Sequence, residues 1–353
     1  MYYLNENINQ FDRVFEEYSR KKYLRLDLNE NPGGLPNEFI QDILSGVDKE
    51  LISEYPETLD FIDMLSKYIG TEAQNICLVN GSSEGIRYVI ESFTSADGEI
   101  VGVTPSYAMF EVYAKMYGRK YIPVEYTSKM EMSIERIFDK INRNTQLLIL
   151  VNPNNPVGNV YSEDEFKSLL KKVTELEITL LIDEAYHYFY PETFVKYAIN
   201  NKRVLISRTF SKLFSLAGVR LGYIVGNKED IEILKKMCTP RNINAFALLC
   251  ARKMIENKDI VNELINNYRE GRSYLEKKLK QYNYSFLGEN GNFIFIKPNT
   301  DAETIVYRMR EEKGILIKSY SGLGDFGECL RVTIAEKKYM ERFLSALIEI
   351  DAL

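Results

Sequence analysis

Arg208-Thr-Phe-Ser-Lys-Leu-Phe-Ser-Leu-Ala-Gly-Val-Arg-Leu-Gly-Tyr223 sets a single lysine, Lys212, among small hydroxyls and apolar residues. Withdrawal from water there favours the neutral amine, the form that attacks carbonyls and makes imines. Thr209 and Ser211, with Arg220 eight residues beyond the lysine, supply donors for a phosphate ester beside that amine. An aldehyde with a phosphate handle, as pyridoxal phosphate is, suits this set. A lone lysine is ordinarily a solvated surface residue, so the reading depends on what surrounds the stretch in the chain.

Upstream, strand, turn and helix repeat. Ile76-Cys-Leu-Val-Asn80 predicts a strand, Gly81-Ser-Ser-Glu-Gly85 a tight turn, and Ile86 to Phe93 a helix. Backbone amides at such a helix start form an anion site. Further strands are predicted at Glu99 to Val103, Lys120 to Val124, Leu147 to Val151, Thr179 to Ile182, Val204 to Ser207 and Gly222 to Val225. Near-continuous apolar strands alternating with helices predict an α/β fold whose mostly parallel seven-stranded sheet is covered on both faces. In such sheets ligands sit beyond the carboxyl ends of the strands. Two polar clusters fall at those ends: Asn152-Pro-Asn-Asn-Pro-Val-Gly158, and Ile182-Asp-Glu-Ala-Tyr186. Prolines fix the first as a turn whose asparagines reach inward as donors. The second ends a buried strand on an acid, a position that serves as a helix cap or as the partner of a protonated ring nitrogen.

The flanks read differently. Residues 1–35 predict an N-terminal arm packing with a small domain, with a helix around Phe11 to Tyr18 and a brief strand entering the turn of Leu26-Asp-Leu-Asn-Glu-Asn-Pro-Gly-Gly34. Residues 36–245 predict the large domain, opening with helices at Asn37 to Leu51 and Leu59 to Ile69 separated by Tyr55-Pro56-Glu57. After Tyr223 a helical region from Lys228 to Lys280 is interrupted at Thr239-Pro-Arg-Asn242. Residues 246–353 predict a smaller α+β domain, with strands at Asn292 to Lys297 and Cys329 to Ile334 around a helix from Ala302 to Lys313.

The chain has 353 residues, 45% hydrophobic and 27% charged, the composition of a globular protein with a large core. A net charge of −6 and the lack of a basic stripe argue against nucleic acid or an anionic membrane as the main partner. The N-terminal Met-Tyr-Tyr-Leu-Asn-Glu-Asn has no signal-peptide pattern, and no apolar run has the length of a bilayer, which predicts a cytoplasmic protein. Cys77, Cys238, Cys250 and Cys329 stand far apart without a C-x-x-C pair, and the single histidine, His187, cannot build a metal site or a serine-type triad with spare parts. No metal is expected. The chemistry falls to Lys, Asp, Tyr and Arg.

Eight motifs in order now carry a resemblance: Asn-Glu-Asn-Pro from Asn29, Tyr55-Pro56, Gly-Ser-x-Glu-Gly from Gly81, Pro105-x-Tyr107, Asn-Pro-Asn-Asn-Pro-x-Gly from Asn152, Asp183-Glu-Ala-Tyr186, Thr-Phe-Ser-Lys212 with Arg220, and Leu330-Arg-Val-Thr-Ile334. The chain from Leu26 to Ile334 resembles the fold-type-I pyridoxal-phosphate aminotransferases, and within them the histidinol-phosphate aminotransferase branch. The resemblance implies that Lys212 forms the imine with the cofactor and shuttles the proton, while Asp183 pairs with the pyridine nitrogen. It assigns Asn155 and Tyr186 to the ring oxygen and Tyr107 to the ring face. Ser82, Ser83, Glu84, Thr209, Ser211 and Arg220 fall to cofactor binding, with Tyr55 entering from the partner subunit of a homodimer. Arg331 is assigned to the substrate carboxylate, with Asn292, Lys318 and Asn31 near the substrate. Glutamate as amino donor and a keto acid or phosphorylated keto substrate as acceptor follow from the same resemblance.

Three positions depart from that branch. Gly33-Gly34 follow Asn-Pro where a tyrosine is usual, Lys318 stands where an arginine is usual, and Arg241 occupies a place commonly apolar or aromatic. Lysine keeps the charge of arginine but loses its two-pronged fork. Two other readings use the same residues: a decarboxylase of a phosphorylated amino acid, similar to the threonine-phosphate decarboxylases, and a non-catalytic ligand-sensing domain. Only about 26 residues precede the first motif, with no basic DNA-binding module among them.

Overall fold

The computed structural model describes residues 2, 4–9 and 19–351; the helix expected around Phe11 to Tyr18 lies outside the described residues. The first strand, β1, is Leu24–Arg25, upstream of the brief strand that the sequence places from Leu26. Seven strands then form the main sheet: β2 (Ile76–Val79), β3 (Glu99–Thr104), β4 (Lys120–Glu125), β5 (Thr145–Val151), β6 (Thr179–Asp183), β7 (Val204–Thr209) and β8 (Gly222–Gly226). Their order is β2-β8-β7-β6-β5-β3-β4. All pairings are parallel except those of β8, which runs antiparallel to both β7 and β2.

Alternation along these strands feeds two separate cores. Leu148, Leu150, Leu180, Ile182, Val204 and Ile206 face one side, while Leu147, Ile149, Val151, Leu181 and Leu205 face the other. Both sides are buried, which is why the strands read as continuous apolar runs.

A second sheet follows the order β12-β13-β10-β9, all antiparallel, from β9 (Phe286–Leu287), β10 (Phe293–Ile296), β12 (Lys318–Leu323) and β13 (Gly327–Thr333). The remaining strand, β11 (Ile315–Leu316), pairs in parallel with β1. Leu24 and Leu26 thereby enter the apolar cluster of Ile294, Ile296, Val332 and the C-terminal helix Lys337–Asp351. The arm then continues past β13, with Leu26 O accepting from Thr333 N at 2.8 Å.

Some helix boundaries differ from the sequence reading. The helix expected over Asn37 to Leu51 is two, Asn37–Ser45 and Lys49–Ser53, because Gly46 ends the first and the Asp48 carboxylate caps the second. The helical region after Tyr223 breaks again at Asn257, whose side chain accepts from Ile260 N to start the 24-residue helix Lys258–Gln281. That helix contributes Val261 and Leu264 to the core of the main sheet and Leu275 and Leu279 to that of the second. Among the described residues no helix is long and apolar enough to cross a membrane.

Beneath the carboxyl ends of β6 and β7, Arg208 donates to Glu184 Oε2 from Nε at 2.9 Å and from Nη2 at 2.7 Å, with side-chain exposures of 4% and 0%. Glu184 also accepts from Phe194 N, and both partners of the pair hydrogen-bond Thr193 Oγ1. Removing one member of such a pair strands a buried charge. Glu184→Ala is expected to lower the unfolding free energy by about 3–5 kcal/mol, read from the urea midpoint; a loss below about 1 kcal/mol would mean the pair behaves as an exposed one.

Candidate active site

The register of β8 assembles an anion cradle. Gly222 lies opposite Val79 on one side and Thr209 on the other, so the ends of β2 and β7 meet at the start of β8. Past Val79, Gly81 adopts φ +77° and caps the helix Ser82–Phe93, turning the first backbone amides of that helix toward this junction. Gly81 and Gly222 both stand where a side chain does not fit. A Cβ on Gly81 would lie 2.7 Å from Arg220 Nη2, and one on Gly222 would lie 2.5 Å from Ser82 N.

The hydroxyls follow from the same junction. Thr209 Oγ1 donates to Ser211 Oγ at 3.0 Å and accepts from Ser211 N at 3.1 Å. Arg220, in left-handed backbone at φ +59°, turns Nη1 toward Ser211 Oγ at 3.5 Å and Ala217 O at 3.2 Å. Ser83 Oγ and the Tyr107 hydroxyl are 3.0 Å apart. Glu84 Oε2 accepts from Asn80 N at 2.7 Å and Asn80 Nδ2 at 3.2 Å, which fixes the turn from within.

Asp183, the last residue of β6, is buried, and Val151 and Ser207 are its neighbours across the sheet. Its Oδ1 accepts from Ala185 N at 3.2 Å. Burial pushes this carboxyl up to about 7, against the opposing hydrogen bonds and the Lys212 charge. Lys212 is half-buried, and Nζ donates to Leu28 O at 3.0 Å. Burial first, then the Arg331 guanidinium, pull its ammonium down to about 8, with Glu30 and Asp183 acting the other way. Nζ lies 5.9 Å from the centre of the Tyr186 ring.

Tyr186 joins both sheets. Its hydroxyl accepts from Asn155 Nδ2 at 3.0 Å and from Asn29 Nδ2 at 2.9 Å. Arg331, buried on β13, donates from Nη1 to Asn155 Oδ1 at 3.4 Å and the Tyr320 hydroxyl at 3.3 Å, and from Nη2 to Asp27 O. Asn292 Nδ2 donates to Asn29 O at 3.0 Å. Two buried atoms here, Arg331 Nε and Asn292 Oδ1, have no hydrogen-bond partner among the described residues. Lys318 pairs across strands with Arg331, which puts both side chains on one face of the second sheet.

Of the predicted residues, Tyr55 stands apart from this centre, while Asn31 lines the same cleft as Lys212. Asn31 closes its own turn, donating from Nδ2 to Gly34 O and Ser215 Oγ, both at 2.9 Å. Tyr55 is 79% exposed, and its ring centre lies 5.6 Å from the Arg241 guanidinium. His187 packs at Tyr188 and is pulled down to about 4 by burial, so it is neutral near pH 7. Asn29 has no role assigned from sequence; in the structure it is buried, in left-handed backbone at φ +57°.

A desolvated amine, a buried carboxyl, an anion cradle and a buried arginine with an open N–H thus meet at the carboxyl ends of β2, β5, β6 and β7. The family model for aminotransferase class I and II matches residues 21–347. A histidinol-phosphate aminotransferase of Thermoanaerobacter sp. is 31% identical over 352 residues, covering 98% of each chain. The crystal structure of the histidinol-phosphate aminotransferase from Clostridium acetobutylicum superposes with a TM-score of 0.83 at 28% identity, over 93% of this chain and 99% of that one. That of the Sinorhizobium meliloti histidinol-phosphate aminotransferase, in complex with pyridoxal-5'-phosphate, gives a TM-score of 0.89 at 21% identity, over 99% and 97%.

Arg220→Gly removes the guanidinium and suits the left-handed backbone. It is expected to weaken binding of a phosphate ester about 10-fold or more, the worth of a hydrogen bond to a charged group, with thermal stability held or raised. Calorimetric titration and a melting curve check this; unchanged affinity would take Arg220 out of the cradle.

Proposed function

The chain belongs to the aminotransferase class I and II family, and from that membership we propose that it exchanges an amino group between L-glutamate and a keto acid or phosphorylated keto substrate, as a histidinol-phosphate aminotransferase-like enzyme. The enzyme is a pyridoxal-phosphate-dependent aminotransferase. One observation carries the reading: the Lys212 amine, lowered to about 8, and the buried Asp183 carboxyl occupy the same cleft as the cradle around Gly81, Gly222 and Arg220.

These residues fit the cofactor. Where a Cβ on Gly81 or Gly222 would collide, backbone amides have room to meet phosphate oxygens. Ser82, Ser83, Thr209, Ser211 and Arg220 hold that phosphate, and Glu84 keeps the turn in shape through Asn80. Asp183, which burial otherwise drives toward its neutral form, gains a cationic partner in a protonated ring nitrogen and stays ionised. Asn155 and Tyr186 face the ring oxygen, and Tyr107 covers the ring. Tyr55 reaches the site of the other subunit in a homodimer; the exposed side chains of Ile52, Tyr55 and Leu59 support such pairing. The arm and the second sheet form a small domain that meets the large one along the helix Lys258–Gln281, and we place the protein in the cytoplasm.

Bound pyridoxal phosphate supplies an electron-withdrawing ring that accepts the electrons of a substrate Cα–H bond. Lys212 would hold the cofactor through Nζ and, once freed, would be the base placed to move the proton at the substrate Cα. Arg331 grips the substrate carboxylate with two N–H groups, Nε among them. The aminotransferase relatives favour transfer over decarboxylation. Asn292 lies beside it, and Lys318 and Asn31 line the approach of the far end of the substrate, with Lys318 offering one positive charge to a phosphate.

Mixed in a single turnover with L-glutamate, the cofactor-loaded protein is expected to convert its absorbance to that of the amine form of the cofactor, and Lys212→Ala to abolish turnover. An unchanged spectrum together with carbon dioxide release from a phosphorylated amino acid would replace transfer by decarboxylation. Loading has its own pH dependence. The nucleophile is neutral amine, which accumulates above the pKa in the folded protein, so the rate at which cofactor-free protein condenses with the aldehyde should rise through pH about 8 and then level. A rise only near the ordinary 10.5, followed by stopped-flow absorbance, would mean that Lys212 is not desolvated.

A further inference from the structure

Asn29 is 1% exposed and sits in left-handed backbone, where Asn is the commonest residue after Gly. Its polar groups spread over three parts of the molecule. Its N–H donates to Thr333 Oγ1 at 3.0 Å, and its Oδ1 accepts from the same hydroxyl at 3.4 Å. Its carbonyl accepts from Asn292 Nδ2 at 3.0 Å, and its own Nδ2 donates to the Tyr186 hydroxyl at 2.9 Å. Thr333 and Asn292 belong to the second sheet and its approach, and Tyr186 follows β6 of the main sheet.

The Tyr186 oxygen receives a second N–H, from Asn155 Nδ2 at 3.0 Å. A phenol oxygen has one proton and limited acceptor capacity. With two amide donors aimed at it, its own O–H has no acceptor toward Asn29 or Asn155 and must point away from both. We propose that Asn29 is a positioning residue for amino transfer, whose amide donor fixes the polarity of the Tyr186 hydroxyl so that it donates into the cleft toward the cofactor ring oxygen. The proposal rests on the aminotransferase reading for its consequence in turnover, but the polarity itself is a property of the protein alone. Because the amide of Asn29 is oriented by Thr333, the second sheet and the phenol share one hydrogen-bond chain.

Other charged or titratable groups also face the phenol. The Arg331 guanidinium comes from β13, the Asp183 carboxyl from the end of β6, the Tyr107 hydroxyl from the loop after β3, and Lys212 Nζ lies over the ring. Among the described residues it is the two amides, and not these groups, that hydrogen-bond the phenol oxygen.

The test uses two substitutions whose order separates polarity from packing. Asn29→Ala removes every side-chain bond. Asn29→Asp keeps the shape and the acceptor toward Thr333 but turns a donor toward Tyr186 into an acceptor, drawing the phenol proton out of the cleft. A purely structural role makes kcat follow the melting temperatures of the two variants. The polarity role ranks the aspartate variant as the worse in kcat, by about 10-fold or more below Asn29→Ala, the range of a misdirected proton donor. It also predicts partial recovery of Asn29→Asp at low pH, where the introduced carboxyl, once protonated, again donates. In cofactor-free protein labelled at tyrosine Cζ, the Tyr186 resonance, identified by its loss in Tyr186→Phe, is expected to move toward the phenolate position in Asn29→Asp. That readout does not depend on the reaction, so a failed aminotransferase assay with a shifted resonance would sink only the functional reading. An unmoved resonance, or a kcat order that follows the melting temperatures, would overturn the proposal.

Discussion

The antiparallel insertion of β8 between β7 and β2 is the constraint from which the site follows. It brings the start of one strand against the ends of two others, so that Val79, Thr209 and Gly222 lie in one row. A helix N-terminus, a pair of hydroxyls and Arg220 then converge without any long loop. The parallel strands beside them deliver Asn152 onward and Asp183 to the same edge. Only after this edge exists does Lys212, three residues past Thr209, have a buried place in which to lose its charge.

The same edge explains why charges of both signs tolerate burial there. Asp183 and Lys212 each move toward neutrality when withdrawn from water, to about 7 and about 8. A cofactor with a cationic ring nitrogen and a carbonyl carbon answers both needs at once. The Glu184–Arg208 pair, one residue from Asp183 and one from Thr209, holds the two strand ends in place from beneath. Arg331 and Asn292 come from a different sheet and approach from above through Asn29 and Asp27. The placement of the Arg331 guanidinium therefore depends on how the N-terminal arm is threaded between the two sheets.

Much of this was legible in the sequence. All seven strands of the main sheet stand where the sequence predicts them, and four of their apolar runs, β2, β5, β6 and β8, run into Asn, Asp or Gly, because strands buried on both faces read as runs of Val, Leu and Ile. The motifs around Gly81, Asn152, Asp183, Lys212 and Arg331 likewise marked the edge where the polar groups meet. Other features were not legible. β9 and β12 are short or half-exposed strands without alternation strong enough to announce them. Gly46 and Asn257 break helices whose apolar period runs through the break, since the period records a face and not its continuity. Asn29 was hidden for another reason: its four hydrogen bonds reach residues up to 304 positions away, and no local pattern encodes them.

Everything at this edge turns on Lys212 being the amine that bonds the cofactor. Borohydride reduction of the loaded protein, followed by digestion and mass spectrometry, fixes that bond wherever it forms. The expected result is a single reduced adduct on the peptide containing Lys212, absent when phosphate ester is present in excess during loading. An adduct on any of the other lysines with Lys212 unmodified would contradict it.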